Sequence, residues 1–189
     1  VAVTVAVAVV ALVACTPKPV TIETWRAVGV RIDHTSSWQV ARDGPIAGLP
    51  DTRQLQLEGP DNGLVIVTIL SPSSTTTASQ FATDVASERG KVAGETLSVG
   101  GVRLGGQKAG ASGLAPVRAR IGGHDVDGVE DRFSLSLLSV DVPHVSQTFV
   151  VDAGGHHVMI LVQAPADDWA GLQGDVQRML ASFAADPQR

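Results

Sequence analysis

A concentration of possible cation ligands begins at His124, where the sequence reads HDVDGVED. Carboxylates beside a glycine suit a hard cation such as calcium, which makes His124, Asp125 and Asp127 candidate ligands. The Asp-x-Asp-Gly spacing matches the core of a calcium loop, but an EF-hand also needs a glutamate at its twelfth position. That position holds Ser136. We therefore predict a solvated acidic turn over Gly122–Asp131, with a metal site as the alternative.

The adjacent pair His156 and His157 offers two imidazoles, which are common ligands of zinc and copper. Successive side chains of a β-strand point to opposite faces, so the two rings cannot chelate one ion without a bulge. The alternating residues around them predict a strand over His156–Gln163. We expect one ring to be exposed and the other to be half-buried near a turn. The sequence thus predicts no metal and no cofactor, with a zinc or copper site as the alternative.

Serine, histidine and aspartate are abundant, which raises the possibility of a Ser-His-Asp hydrolase. The chain contains no Gly-x-Ser-x-Gly nucleophile elbow. Catalytic triads are defined by geometry, so a hydrolase stays open as an alternative. The glycine-rich stretch Gly94–Gly113 lacks the Gly-Lys-Ser/Thr of a phosphate-binding loop, and we interpret Gly105–Lys108 as a turn.

Cys15 is the only cysteine, and it ends the uncharged apolar run Val1–Ala14. A run of this length is typical of the apolar part of a secretory signal peptide, whereas a membrane-spanning helix needs about 20 residues. We predict a signal peptide over residues 1–14 whose front is missing, because the chain has no initiator methionine and no basic segment before the run. A single cysteine in an exported protein cannot form an internal disulfide, and a free thiol there would be a liability.

The residues Leu12, Val13, Ala14 and Cys15 resemble the lipobox of bacterial lipoproteins. In that family the cysteine thiol is alkylated by a diacylglycerol and the preceding peptide is removed. The resemblance implies a lipid anchor at Cys15, a linker over residues 15–24 and an extracytoplasmic location on the cell membrane or the outer membrane. Two acyl chains are enough for stable membrane anchoring.

Composition limits what the rest of the chain can be. The net charge is −5 without a basic cluster, which argues against nucleic acid as a partner. Aromatic residues make up 4% of the chain and tyrosine is absent, which argues against a surface that stacks bases or sugars. Twenty glycines and abundant valine favour strands joined by tight turns. We predict one α+β domain over residues 25–186.

The spacing of apolar residues predicts the strands and helices of that domain. Alternating or continuous apolar residues predict strands at Trp25–Asp33, Trp38–Ala41, Arg53–Glu58, Leu64–Leu70, Leu114–Ile121, Arg132–Val140, Val145–Asp152 and His156–Gln163, with a hairpin inside Gly94–Gly113 and a loop over Asp43–Pro50. Pro143 and His144 are expected to interrupt the strands. Helical spacing predicts helices at Thr77–Gly90 and Asp167–Ala184, with Gly90 as the first helix's stop.

Several of these features together resemble the PsbP-like fold. They are a strand leading into Ser36-Ser37-Trp38, a central helix around Phe81–Arg89, a hairpin with Gly154-Gly155, and a last helix ending Leu180-Ala181-Ser182-Phe183. Photosystem II extrinsic subunits, a Ran-binding nuclear import factor and the LpqN-type lipoproteins of actinobacteria share that fold. The resemblance covers about Ala27–Phe183, and it implies an antiparallel β-sheet with flanking helices in αβα layers. It carries over no catalytic residue, because the fold has no shared active site.

These observations predict a non-enzymatic lipoprotein of the cell envelope. Its membrane-tethered domain would bind a protein or a small amphiphile. An envelope hydrolase or metal-dependent enzyme is the alternative, and a pocket with converging ionisable residues would favour it. A purely structural role in the envelope would need neither pocket nor apolar patch.

Overall fold

The fold is taken from a computed structural model that describes residues 19–46, 49, 52–93, 97–99, 102–104, 113–137 and 140–186. Two α-helices and a short 3₁₀ helix, Pro60–Asn62, lie among twelve strands in these ranges: β1 Ile22–Ala27, β2 Val30–Thr35, β3 Gln39–Gly44, β4 Arg53–Glu58, β5 Leu64–Leu70, α1 Ala78–Ala93, β6 Leu97–Val99, β7 Val102–Leu104, β8 Gly113–Ile121, β9 His124–Leu137, β10 Val140–Ala153, β11 His156–Pro165, α2 Trp169–Ser182 and β12 Ala184–Ala185. Neither helix combines the length and the apolar character needed to cross a membrane.

Seven strands form the main sheet in the order β3-β4-β5-β11-β10-β9-β8, and every neighbouring pair is antiparallel. A smaller sheet has the order β1-β2-β12, and β6 pairs with β7 as the hairpin predicted inside Gly94–Gly113. The predicted α+β class with an antiparallel sheet is therefore confirmed.

The larger core lies between α2 and one face of the main sheet. Along β11 the even-numbered residues point to this face, because strand side chains alternate. The apolar residues of α2 that recur at helical spacing are buried here: Trp169, Leu172, Val176, Met179 and Leu180. They pack with strand residues that include Trp25, Ile32, Leu55, Val67, Phe149 and Ile160.

Helix α1 begins on the opposite face of the sheet. His157, an odd-numbered residue of β11, contacts the carbonyl oxygen of Thr76 just before α1, and the odd-numbered Met159 and Leu161 are also buried. Ala82 of α1 is buried as well, outside the α2 core. The two helices therefore flank the sheet, as the resemblance implied.

Helix α1 starts with a capping box at the predicted position. The backbone N–H of Gln80 donates to Oγ1 of Thr77 at 3.2 Å, and the backbone N–H of Thr77 donates to Oε1 of Gln80 at 2.8 Å. The predicted stop at Gly90 is wrong, because the helix continues to Ala93. A glycine inside a helix lowers its stability but does not by itself end it.

The first predicted strand, Trp25–Asp33, is two strands joined by a turn at Val28 and Gly29. Both residues have positive φ, 47° and 78°, which is the signature of the two-residue type I′ hairpin turn. The alternation of apolar and polar residues continues across the turn, because Trp25 of β1 pairs with Ile32 of β2 and both side chains lie on the same face of the sheet. Strand β1 also begins at Ile22, inside the segment predicted as linker, because it pairs with β2 up to Thr35.

Pro143 and His144 lie inside β10, so the predicted break there is wrong. Strand β10 pairs with β11 only from His144 onward, so among the described strands Pro143 of β10 has β9 as its only neighbour. A proline that lacks an N–H is tolerated at such an edge position. Its carbonyl oxygen accepts a hydrogen bond from the backbone N–H of Ala166 at 2.8 Å.

Candidate functional site

The predicted lipidation residue Cys15 and its neighbours Leu12, Val13 and Ala14 lie outside the described residues, as do Gly105–Lys108. The described residues begin at Pro19, four residues after Cys15, and β1 starts at Ile22. The first apolar side chains described are largely exposed, Val20 at 68% and Ile22 at 65%.

The predicted acidic turn over Gly122–Asp131 is wrong, because the turn is confined to Gly122 and Gly123 and the acidic residues belong to strand β9. Cross-strand pairing places Asp125 opposite Arg120 and Asp127 opposite Arg118 of β8. Nε of Arg118 donates to Oδ1 of Asp127 at 2.7 Å, and this hydrogen bond raises the pKa of the Arg118 guanidinium. Opposite charges facing each other on adjacent strands stabilise an extended hairpin.

This strand geometry separates the proposed cation ligands. His124 and Asp125 are consecutive residues of β9, so their side chains point to opposite faces. Asp127 is already hydrogen-bonded to an arginine. Among the residues that the structure describes, no three His, Cys, Asp or Glu side chains come close enough to hold a metal ion.

The rings of His156 and His157 lie on opposite faces of β11, as the alternation predicts. His156 contacts the carbonyl oxygen of Leu70 at 3.4 Å. Nδ1 of His157 lies 2.8 Å from Oδ1 of Asp152, and its Nε2 lies 2.7 Å from the carbonyl oxygen of Thr76. The two rings therefore do not share an ion site.

The His157–Asp152 pair has the spacing of two members of a catalytic triad. In a triad the second ring nitrogen accepts a hydrogen bond from the nucleophile's hydroxyl. Nε2 of His157 instead faces the carbonyl oxygen of Thr76, which can only accept. This geometry makes the pair a contact between the β10–β11 hairpin and the start of α1.

Several turns gather at the end of the molecule opposite the start of β1. The backbone N–H of Asp186 donates to the carbonyl oxygen of Gly29 at 2.6 Å, and Gly154 packs so closely that a Cβ on it would lie 2.7 Å from the carbonyl carbon of Gly29. We call this region, which contains the Val28–Gly29 and Gly154–Gly155 turns, the turn end.

Val28 is an unusual residue for the first position of its turn. A β-branched side chain in the left-handed region costs roughly 1–2 kcal/mol, and asparagine or glycine is the usual occupant. The Val28 side chain is also 48% exposed. Gly29 was a usable turn signal that the predicted strand over Trp25–Asp33 passed over, and nothing in the sequence marked Val28 as exposed.

Two cavities meet at Val28 and His156 of the turn end. The first measures about 560 Å³, and its remaining lining residues are Pro45, Thr52, Arg53, Ile69, Ser71 and Pro72. We call it the Val28–Pro72 cavity. The second measures about 520 Å³, and its remaining lining residues are Arg26, Ala27, Gly29, Val30, Gly154 and Asp186. Both volumes lie within the range of small-molecule sites.

Arg53 is a charged residue of the Val28–Pro72 cavity, and Asp43 holds its side chain in place. Asp43 was predicted in a loop but lies in β3, where Oδ1 accepts from Nε of Arg53 at 2.7 Å and Oδ2 accepts from Nε1 of Trp25 at 3.0 Å. The hydrogen bond from Arg53 lowers the pKa of the Asp43 carboxyl and raises that of the guanidinium. Both groups therefore stay charged, and Arg53 is held in place at the cavity.

In the second cavity the charges are paired with each other. Nη1 of Arg26 donates to Oδ2 of Asp186 at 2.9 Å, and the Asp186 side chain is only 5% exposed. This pair joins β1 to the chain beyond β12. The sequence gave no signal for it, because the partners lie at opposite ends of the domain.

No protein-family model matches the sequence, and no curated protein matches it. Among solved structures, the chain is similar to the cyanobacterial PsbP protein CyanoP from Synechocystis sp. PCC 6803, with 13% identity, a TM-score of 0.47 and coverage of 93% of this chain and 97% of that one. LpqN, which is involved in cell envelope biogenesis of Mycobacterium tuberculosis, gives 13% identity, a TM-score of 0.40 and coverage of 92% and 88%.

A third similar structure is PA94 from Pseudomonas aeruginosa, a protein of unknown function. It shows 12% identity and a TM-score of 0.36, over 88% of this chain and 99% of that one. The structural neighbours thus include a PsbP-like protein and LpqN, the two groups that the sequence resembles.

Proposed function

We propose that this chain is a lipid-anchored, non-enzymatic binding domain of the cell envelope. The observation that carries the proposal is the placement of Leu12, Val13, Ala14 and Cys15 at the end of an uncharged apolar run. A diacylglycerol on the Cys15 thiol would hold the domain at the membrane surface, since two acyl chains give stable anchoring.

The position of β1 supports this arrangement. Six residues separate Cys15 from Ile22, and an extended segment of that length reaches at most about 25 Å. A lipid at Cys15 would therefore keep the start of β1 close to the headgroups. The six residues of β1 run for roughly 20 Å away from that point. The turn end, with Val28 and the cavities, would then be available to a ligand or a partner.

The chemistry of the described residues supports binding rather than catalysis. Nε2 of His157, the ring nitrogen that a nucleophile would need, contacts a backbone carbonyl oxygen. The carboxylates of Asp43 and Asp127 are engaged by arginines. The cavities at the turn end offer apolar walls and a fixed cation, which is a lining suited to recognition.

The anchor is tested by comparing the full chain with its Cys15→Ala variant in the natural host. We expect the wild-type protein to begin at Cys15, to carry the mass of a diacylglyceryl group and to stay with the membranes after a high-salt wash. The variant should keep the residues before position 15 and lack the added mass. Pro17→Ala, two residues beyond the cysteine, serves as the matched control and should be processed like the wild type. A wild-type protein with an unmodified thiol and its leader still attached would refute the anchor.

A further inference from the structure

Val28 is disfavoured where it stands, both by its backbone conformation and by the exposure of its side chain. Its φ of 47° lies in a region that β-branched residues avoid, and the following glycine would suit an asparagine at this position. Strained residues of this kind cluster at binding sites, where the strain is retained because the side chain is needed. Val28 lines both cavities of the turn end.

The walls of the Val28–Pro72 cavity suit an aliphatic chain. Val28, Pro45, Ile69 and Pro72 supply apolar surface without an aromatic ring among them. A flexible alkyl chain can follow such a surface, whereas a flat ring system gains most from aromatic partners. The adjoining cavity continues past Val28, so a chain longer than the first cavity has a place to extend.

The charge at this cavity suits an anionic headgroup. Arg53 has a 38% exposed side chain, and Asp43 binds its Nε and so fixes the guanidinium without belonging to the cavity lining. A fixed guanidinium offers further N–H donors in a planar fork that matches a carboxylate. His156 lines the same cavity, and the lining residues that the structure describes include no acid.

We propose that the Val28–Pro72 cavity binds an aliphatic carboxylate, with Arg53 paired to the carboxylate and Val28 against the alkyl chain. This inference deepens the proposed function, because it names the ligand class of the binding domain and depends on that function only for the domain's place at the envelope. The neighbouring cavity is a less suitable place for the headgroup, since the Asp186 carboxylate lines it beside Arg26, whereas Asp43 does not line the Val28–Pro72 cavity.

The test uses the full chain in phosphatidylcholine nanodiscs with a diazirine-bearing hexadecanoate. After illumination, the crosslinked peptides are identified by mass spectrometry. We expect crosslinks to concentrate on the peptides that contain Val28 and Pro72. Val28→Asn should lower this labelling about tenfold, which is the scale for losing an apolar contact in a binding pocket. The same variant should raise the Tm, because asparagine suits the turn, so loss of labelling cannot be ascribed to unfolding.

Val40→Asn is the matched control. Val40 has the same exposed fraction as Val28, 48%, but lies on β3 and does not line the cavity. Its replacement should leave the labelling unchanged. Arg53→Gln should abolish the preference for hexadecanoate over hexadecanol as a competitor, and Arg53→Lys should restore part of it.

Three results would overturn the inference: crosslinks spread evenly over the surface, wild-type labelling of Val28→Asn, or equal competition by hexadecanol and hexadecanoate. The mass of the Cys15 peptide is read in the same samples. A lipidated protein without labelling at the cavity would refute the ligand site and leave the anchor standing. Labelling at the cavity of a protein with an unmodified Cys15 would refute the anchor and leave the ligand site standing.

Discussion

His157 and Asp152 are held together at 2.8 Å between Nδ1 and Oδ1, while the other ring nitrogen of His157 contacts the carbonyl oxygen of Thr76. Both partners are acceptors, so the ring can donate to both only as an imidazolium. Burial, the largest single influence, lowers the pKa of His157, but the hydrogen bonds to Thr76 and Asp152 together raise it above its usual value. When protonated, the ring thus joins the β10–β11 hairpin to the start of α1 by two hydrogen bonds.

This contact predicts a pH-dependent stability. Because the folded-state pKa of His157 is raised, its contribution is fully present below the unfolded pKa of about 6.5 and is lost as the pH rises through the folded value. His157→Gln should lower the free energy of unfolding by about 1 kcal/mol at acidic pH, a figure kept small because the Asp152 side chain is 85% exposed. Denaturant titrations on both sides of pH 6.5 should show that this difference from the wild type shrinks as the pH increases.

His124→Gln is the control for that experiment, since His124 is an exposed histidine of β9. It should change neither the stability nor its pH dependence. Asp152→Asn should reduce the pH dependence, because the carboxylate charge is lost. A His157→Gln protein with the same pH profile as the wild type would show that the ring is not charged in this contact.

The spacing of apolar residues was sufficient to predict much of this fold. Leu172 and Val176 belong to the buried stripe of α2, and the rings of His156 and His157 lie on opposite faces of β11 as predicted. The spacing failed at Val28, because a valine at the first position of this turn contradicts the usual turn chemistry. It also failed at the acidic segment, where a usable signal was present. Arginines and aspartates are placed symmetrically about Gly122-Gly123, which is the pattern of an ion-paired hairpin.

The cavity at the turn end was beyond prediction from one sequence. Arg53, Val28 and His156 lie on different elements, and only the order of the sheets brings them together. The hydrogen bond that fixes Arg53 is accepted by Asp43 of the neighbouring strand, which lies in a segment whose prolines and glycines predicted a loop. Local patterns give the elements, whereas a site shared by several elements depends on their packing.

Gly128 gives a test of the packing between β9 and β10. It lies opposite Phe149, and a Cβ at this position would lie 2.6 Å from Cε1 of the Phe149 ring. Because Phe149 is fully buried, Gly128→Ala should lower the free energy of unfolding by about 1–3 kcal/mol, the usual cost of overpacking. Chemical denaturation measures the change.

Gly171→Ala is the matched control for this substitution. A Cβ at Gly171 of α2 would have no described atom beyond its own stretch of helix within 4 Å. Alanine favours a helix over glycine by up to about 1 kcal/mol. The same substitution should therefore stabilise the protein at Gly171 and destabilise it at Gly128. Equal effects at both positions would contradict the close packing against Phe149.

The capping box at the start of α1 predicts that Thr77→Ala lowers the stability of the protein. The variant removes the oxygen that accepts from the Gln80 N–H and should lower the free energy of unfolding by about 1 kcal/mol. Thr75→Ala serves as the control, because Thr75 is exposed and makes no side-chain hydrogen bond to the described part of the chain. Thermal unfolding should separate the two variants, and an equal Tm for both would argue against the cap.

The charge pairing on β8 and β9 predicts how the protein responds to calcium. Asp127 is bound by Arg118 and Asp125 faces Arg120, so millimolar calcium should leave the Tm of the wild-type protein unchanged. Replacing both arginines by alanine removes the cationic partners and leaves two carboxylates on one face, which should make the Tm rise with calcium.

Arg178→Ala is the control for that variant. Arg178 pairs with Asp175 on the surface of α2, so this change removes an exposed ion pair without freeing neighbouring strand carboxylates. It should create no calcium response. A calcium-dependent Tm in the wild-type protein would mean that the carboxylates prefer the ion to their arginine partners. The metal-binding alternative for Asp125 and Asp127 would then replace the structural role that the hairpin geometry gives them.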